Sequence, residues 1–240
     1  MKVSVCIPMY NERNCIAKTA QTLSDYLERT FPGDYEILFA DDGSTDGSAA
    51  AVEELHLPAV RVISYTPNRG KGYAVRTAML ASRGDVAFFT DADLAYGTDV
   101  IARFVKEFDS EKAPGMVVGS RNLSADGYEG YTALRKFASK AYLKILALAG
   151  GLKLSDSQCG CKAFSRAAAD RIFPRCEVDR FAFDFEAILW AQKFGIPAAE
   201  VPVRVLVHGE SKVRVVRDSV RMLRDLAKMR RRIRKATIDC

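Results

Sequence analysis

The sequence has no long apolar run. In its most apolar part the longest charge-free stretch is 145–152, eight residues between Lys144 and Lys153, far short of the ~18–20 that cross a bilayer. No transmembrane helix is expected. The N-terminal residues MKVSVCIPMYNE turn polar after about seven positions, without the length or cleavage pattern of a signal peptide, so the expected compartment is the cytoplasm. The six cysteines (Cys6, Cys15, Cys159, Cys161, Cys176, Cys240) contain no C-x-x-C pair. That argues against a disulfide framework or a tetrahedral zinc site and for reduced thiols. No G-x-x-x-x-G-K-[ST] is present, which excludes a P-loop. Gly70-Lys71-Gly72 opens a helical period after a strand-like run, but Val75 stands where a dinucleotide fingerprint needs its third glycine. Proline and glycine bias, low-complexity tracts, repeats and linkers are also missing, as expected of one globular domain with an appendage.

The 240 residues are 48% hydrophobic and 28% charged, enough for a substantial core. The formal charge of +6 is unevenly distributed: the segment from Arg204 onward carries +8 and the first 203 residues carry −2. Basicity belongs to the C-terminal end. There, Met222, Leu226, Met229 and Ile233 form one apolar stripe on an expected helix over 213–235. Arg217, Arg221, Arg224, Arg230, Arg231, Arg232 and Arg234 surround it, a pattern able to lie on an anionic membrane surface. The same pattern also fits a helix packed on the domain with its arginines solvated.

Short apolar runs alternate with helical periods through the first ~120 residues, the pattern of a mostly parallel α/β sheet with helices on both faces. Strands are expected at 3–8, 35–40, 60–65, 86–90 and 116–119; between them come a helix with the stripe Ile16, Ala20, Leu23 and Leu27, a short helix ending near Leu55, and helices near 71–83 and 98–109. The second half suggests helices at 132–149, 167–173 and 184–194 and strands at 162–164 and 200–207. The polar clusters follow strands: Asn11-Glu12, Asp41-Asp42 and Asp91-Ala92-Asp93. In such sheets ligands bind beyond the carboxyl ends of the strands, so these clusters are expected to meet in one crevice. Asp91 and Asp93 have the spacing to aim two carboxylates at one hard divalent cation, Mg²⁺ or Mn²⁺, which takes its other ligands from phosphate and water. Acidic groups gathered at one edge repel each other unless a cation or donors compensate. Arg69 and Lys71, beside a helix N-terminus, are placed to face a phosphorylated ligand.

Taken in order, IPMYNE (7–12), ADDGSTDG (40–47), NRGKG (68–72) and Asp91-Ala92-Asp93 resemble the motifs of family 2 glycosyltransferases of the GT-A (Rossmann-like) fold. GSR (119–121), SQCGCKAF (157–164), FDFE (183–186) and GESK (209–212) are similar to the dolichyl-phosphate glucosyltransferase and dolichol-phosphate mannose synthase branch. The resemblance runs from residue 3 to about residue 230. It implies a GT-A domain over 1–212, with a nucleotide-sugar half (1–120) and an acceptor half (121–212), followed by a basic amphipathic helix and tail (213–240).

By resemblance, Pro8, Tyr10, Asn11, Glu12, Asp41, Asp42 and Lys71 would line the nucleotide-sugar site, and Asp91, Ala92 and Asp93 would hold the sugar diphosphate through Mg²⁺ or Mn²⁺. Arg121 and Lys212 would meet the diphosphate or the acceptor phosphate, Gln158 and Lys162 the acceptor, and Asp184 and Glu186 would border sugar and acceptor. Cys161 stands where the family carries an aromatic and Phe181 where the glucosyl branch often has Trp, departures that bear on the donor sugar. The implied reaction is an inverting transfer from a nucleotide sugar, UDP-glucose ahead of GDP-mannose, to a polyprenyl phosphate at the cytoplasmic membrane face, with room for a membrane-protein partner. A phosphate acceptor is already ionised at neutral pH and needs no general base. A hydroxyl acceptor would need one, with Asp184 or Glu186 as the candidates. Two rivals follow from the same residues: a nucleotidyltransferase sharing the metal-diphosphate chemistry, and a nucleic-acid binder using the basic tail. The tail lacks interleaved aromatics and the rest of the chain is net negative, so nucleic acid is not the expected partner.

Overall fold

Strand β1 (Val3–Met9) is buried along its whole length, as a strand must be when helices cover both faces of its sheet. Period-two alternation divides it: Val3, Val5, Ile7 and Met9 pack on one face and Cys6 on the other. In this computed structural model, which describes residues 1–110, 112–127, 144, 151, 154–206 and 215–237, with side chains over 215–224 excepted, β1 lies within a seven-stranded sheet. The expected helix at 132–149, apart from Lys144, and Lys212 lie outside the described residues.

The other strands are β2 (Tyr35–Asp41), β3 (Val60–Ser64), β4 (Val86–Phe89), β5 (Met116–Ser120), β6 (Lys162–Ser165) and β7 (Ala198–Pro202), in the order β3-β2-β1-β4-β6-β5-β7. Only β6 runs against the rest, pairing antiparallel with both β4 and β5. Because of that reversal, the start of β6 shares an edge with the carboxyl ends of β1, β2, β4 and β5. Lys162 pairs with Phe89 on one side and Val118 on the other. β7 ends at Pro202, short of the expected 207, because β5, its partner, stops at Ser120; beyond it the Val203 N–H still reaches the Ser120 carbonyl at 3.1 Å.

Helices α1 (Arg13–Thr30) and α4 (Asp99–Lys106) cover one face, α1 through the stripe Ile16, Ala20, Leu23 and Leu27. The short α2 (Ser48–Glu53) packs against α1 and β3. The other face is covered by α3 (Lys71–Ala81), α5 (Arg166–Ile172), α6 (Phe183–Lys193) and α7 (Val215–Lys235). In α7, Leu226, Met229 and Ile233 are buried in that same core. The apolar stripe that could have faced lipid is therefore occupied by the domain over its described part. Met222 and Arg217, Arg221 and Arg224 lie among the residues whose side chains are not described. Among the described residues no helix is long and apolar enough to cross a membrane.

Candidate active site

Beyond β1 the chain turns at Asn11, whose φ of +52° lies in the left-handed region that asparagine tolerates better than most residues. Its N–H donates to Ser44 Oγ and its Oδ1 accepts from the Thr45 N–H, each at 2.9 Å. The Glu12 N–H donates to Ser48 Oγ at 2.8 Å and the Arg13 N–H to Asp46 Oδ2 at 3.0 Å. The segment after β2 thus satisfies N–H groups at the start of α1 that have no partner within the helix. Tyr10 stands open at this edge. Pro8, by contrast, is buried inside β1 opposite Ala40, one residue short of the strand end.

Asp41 and Asp42 are buried and occupied by backbone donors. Asp41 Oδ1 accepts from the Ser44 N–H at 3.0 Å; the two oxygens of Asp42 accept from the Arg69 and Gly70 N–H groups at 2.8 and 2.7 Å. Both carboxylates therefore build the wall of the crevice. The glycines of 70–72 have a related task. A Cβ on Gly70 would lie 2.6 Å from the Asp179 carbonyl, and one on Gly72 would collide with the Val178 carbonyl and sit 2.8 Å from that of Arg180. They let the 178–180 loop close over the start of α3. Arg69 faces the same loop, stacking on Tyr73 at 3.8 Å and pairing with Asp179 at 2.9 Å. Asp179 also takes Arg76 at 3.1 Å.

The acidic centre sits beyond β4. Asp91 pairs with Lys71 Nζ, and the Asp93 Oδ1 accepts from the Ala95 N–H at 3.1 Å. Partial burial and then the neighbouring Asp91 charge push the Asp93 carboxyl above its ordinary range. Burial works against the Lys71 ammonium, but Asp91 and Asp184 outweigh it and hold its pKa up. Ala92 is buried, its carbonyl accepting from Thr19 Oγ1 at 2.6 Å. Asp184, from the first turn of α6, pairs with the fully buried Lys162, whose ammonium also donates to the Cys159 carbonyl at 2.7 Å. Burial, with Asp91 adding to it, raises the Asp184 carboxyl despite Lys162 and Lys71. Asp91, Lys71, Asp184 and Lys162 thus form a chain of alternating charge that ends in the core. Lys162, expected at the acceptor, is enclosed by protein and holds Asp184.

Beyond β5, Arg121 grips the buried Asp156 through Nε at 2.7 Å and Nη2 at 3.0 Å. Burial would raise the Asp156 carboxyl, yet the guanidinium keeps it below its usual range. Gln158 lies in the same turn, its Nε2 buried and without a hydrogen-bond partner. Cys159 and Cys161 are buried beside each other, with sulfurs 3.4 Å apart. Gly160 between them leaves room for Asp91, whose Oδ2 would lie 2.6 Å from a Cβ there.

Glu186 is the clearest reassignment. It is fully buried, accepts the Glu177 and Val178 N–H groups at 2.9 and 2.7 Å, and pairs with Arg232 of α7. Its oxygens tie α7 and the 177–180 loop to α6. Sequence reasoning passed over Asp156, Asp179 and Glu200, and placed Arg232 only on the face of a basic helix; all four act through partners distant in the chain.

Asp91, Asp93 and Lys71 therefore gather beyond β4, beside the switch between β1 and β4 where open α/β sheets bind ligands, with Arg121 at the end of β5 on the same edge of the sheet. The glycosyl transferase family 2 profile matches residues 4–173. The chain belongs to that family. A dolichyl-phosphate beta-glucosyltransferase of Dictyostelium discoideum is 32% identical over 95% of this chain and 73% of its own length. One from Trichomonas vaginalis is 34% identical over 87% of this chain and 65% of its own, and the human enzyme 32% over 84% and 66%. The chain thus spans about two thirds of the length of these family 2 relatives. The fold is GT-A: glucosyl-3-phosphoglycerate synthase from Mycobacterium tuberculosis, solved with Mn²⁺, UDP-glucose and glycerol 3-phosphate, superposes with a TM-score of 0.70 at 18% identity, covering 99% of this chain and 82% of that one.

Proposed function

We propose that this family 2 glycosyltransferase moves glucose from UDP-glucose to a polyprenyl phosphate with inversion, giving a β-linked product. The observation that carries the reading is the nearness of Asp91 and Asp93 beyond β4: the Asp91 charge raises the Asp93 carboxyl, and Lys71 is the cation paired with Asp91. That surplus of negative charge fits a divalent ion bridging the protein to a diphosphate, either Mg²⁺ or Mn²⁺. Among the described residues no group of three or more His, Cys, Asp or Glu side chains surrounds such an ion, so its remaining ligands would be water and the donor. When bound, the ion neutralises charge on the departing nucleoside diphosphate. Lys71 and Arg121 add positive charge at the same edge, and Tyr10 and Glu12 border the nucleotide.

The commitments of the other carboxylates support a phosphate acceptor. Asp184 is paired with Lys162 and Glu186 with Arg232, so the two groups a hydroxyl acceptor would need as base are both occupied. A phosphate monoester brings its own negative oxygen and needs positioning, the role we assign to Gln158 and Lys212. The relatives' names favour glucose and a dolichyl phosphate. With the apolar stripe of α7 buried, contact with an anionic membrane on the cytoplasmic side would rest on the exposed Arg230, Arg231, Arg234 and Lys235, through charge rather than insertion. A membrane-protein partner could then receive the lipid product.

The test is a panel of nucleotide sugars, each with Mg²⁺ or Mn²⁺ and a polyprenyl phosphate on anionic vesicles. Release of nucleoside diphosphate is expected to be fastest from UDP-glucose and to require both metal and acceptor. A faster rate with GDP-mannose would overturn the donor assignment, and pyrophosphate release would favour nucleotidyl transfer.

A further inference from the structure

Arg121 is held by a framework of buried polar partners behind the end of β5. Asp156 is fully buried. Its Oδ2 accepts from the Arg121 N–H at 3.1 Å and from Nε at 2.7 Å; its Oδ1 accepts from Arg121 Nη2 at 3.0 Å and from the Gln158 N–H at 3.2 Å. Engagement along the Nε and Nη2 edge fixes the plane of a guanidinium, and with it the direction of the opposite edge. The turn that carries Asp156 is fixed in its own right. Glu200, on β7, accepts through Oε1 from the Ser155 N–H at 2.9 Å, from Ser155 Oγ at 2.6 Å and from the Asp156 N–H at 3.3 Å. Ser155 Oγ also meets Ser120 Oγ, at the end of β5, at 2.6 Å. Two neighbouring strands therefore clamp one turn, and the turn clamps one arginine. Gly160, two residues beyond Gln158, donates its N–H to the Tyr96 hydroxyl at 3.3 Å, and a Cβ on it would lie 2.6 Å from Asp91 Oδ2. The framework thus ends beside the acidic centre.

We infer that Asp156, set in place by Glu200, is the positioning residue that aims Arg121 at the departing diphosphate. The inference rests on the glycosyl-transfer reading above. Bidentate engagement by Asp156, with Glu200 bonded to the turn that carries it, fixes the direction of the guanidinium as well as its place. Pre-set orientation matters because a cation placed before charge develops need not reorganise during the reaction.

A double-mutant cycle separates positioning from stability. Arg121→Met leaves Asp156 buried without its partner, so it is expected to lower both Tm and kcat, the latter by about 10²–10³. Asp156→Asn turns an amide toward Arg121 and is expected to lower kcat on the order of 10²-fold, as misplaced catalytic groups do, with donor KM little changed. The combined Arg121→Met/Asp156→Asn protein removes both charges. It should recover Tm towards wild type yet remain as inactive as Arg121→Met alone. Recovery of activity together with Tm would overturn the inference, as would losses in kcat that multiply. Should Asp156→Asn fail to fold, Glu200→Ala and Glu200→Gln carry the test. The glutamine keeps an Oε1 acceptor and should lose much less kcat than the alanine; equal losses would count against the framework. If the wild-type protein releases no nucleoside diphosphate from any donor, the glycosyl-transfer reading itself fails, an outcome distinct from these.

Discussion

Asp93→Asn is expected to lower glycosyl transfer by about 10²–10³, the usual loss when one stabiliser of developing charge is removed, with no fall in melting temperature. Asp93 lies beside Asp91, and burial and that charge both raise its carboxyl above the ordinary range. A carboxyl whose pKa is higher folded than unfolded costs stability at neutral pH, and the cost disappears as pH falls through the folded value. The neutral amide removes the repulsion at any pH, so Tm should hold or rise. Function and stability pull in opposite directions here, as expected where like charges are gathered to hold a metal. Metal-dependent transfer and thermal unfolding, measured on the same preparation, check both halves. A large drop in Tm would mean that Asp93 is needed for the fold and would remove the reason for assigning it to the donor.

Glu186→Ala is expected to do the reverse. The side chain is fully buried and holds Arg232 together with the Glu177 and Val178 N–H groups. Removing one partner of a buried pair typically costs ~3–5 kcal/mol, because the other charge is left without compensation. Arg232 also pairs with Glu177 at the surface, which places the expected loss at the lower end of that range. The fall should appear as a lower denaturation midpoint, with part of the activity kept by the fraction that stays folded at low temperature. Glu186→Gln, which keeps an acceptor for the loop N–H groups, should lose less stability. A fully stable Glu186→Ala protein with no transfer would return Glu186 to the role of a base and reopen the hydroxyl-acceptor reading.

These contrasting expectations show which parts of the site were legible in the sequence. The strands and helices were readable because their periods are local: the stripe Ile16, Ala20, Leu23 and Leu27 declares α1, and the carboxylates of 91–93 sit just after an apolar run. The reversal of β6 was not, since strand direction depends on long-range pairing that composition does not encode. A charged residue also reads alike whether it faces a ligand or a partner in the core. Lys162, Glu186 and Asp42 look like site residues in their motifs, and each is committed to protein: Lys162 to Asp184, Glu186 to α7, Asp42 to the 68–70 loop. Glycines gave a similar ambiguity. Gly70 and Gly72 read as the opening of a helix, and what requires them is the close approach of the 178–180 loop, more than a hundred residues away in the chain. The reading of α7 turned on the same point, because an amphipathic stripe does not say whether lipid or the protein's own core covers it. Leu226, Met229 and Ile233 are covered by the core.

The most direct measurement of the central claim is the linkage formed from UDP-glucose and a polyprenyl phosphate, read by NMR on the purified lipid product. A β-glucosyl phosphodiester, formed with release of UDP and with wild-type protein but not with Asp93→Asn, is the predicted result. An α-linked product would contradict the single-displacement account, and glucose attached to a hydroxyl, with the lipid phosphate left untouched, would contradict the phosphate acceptor.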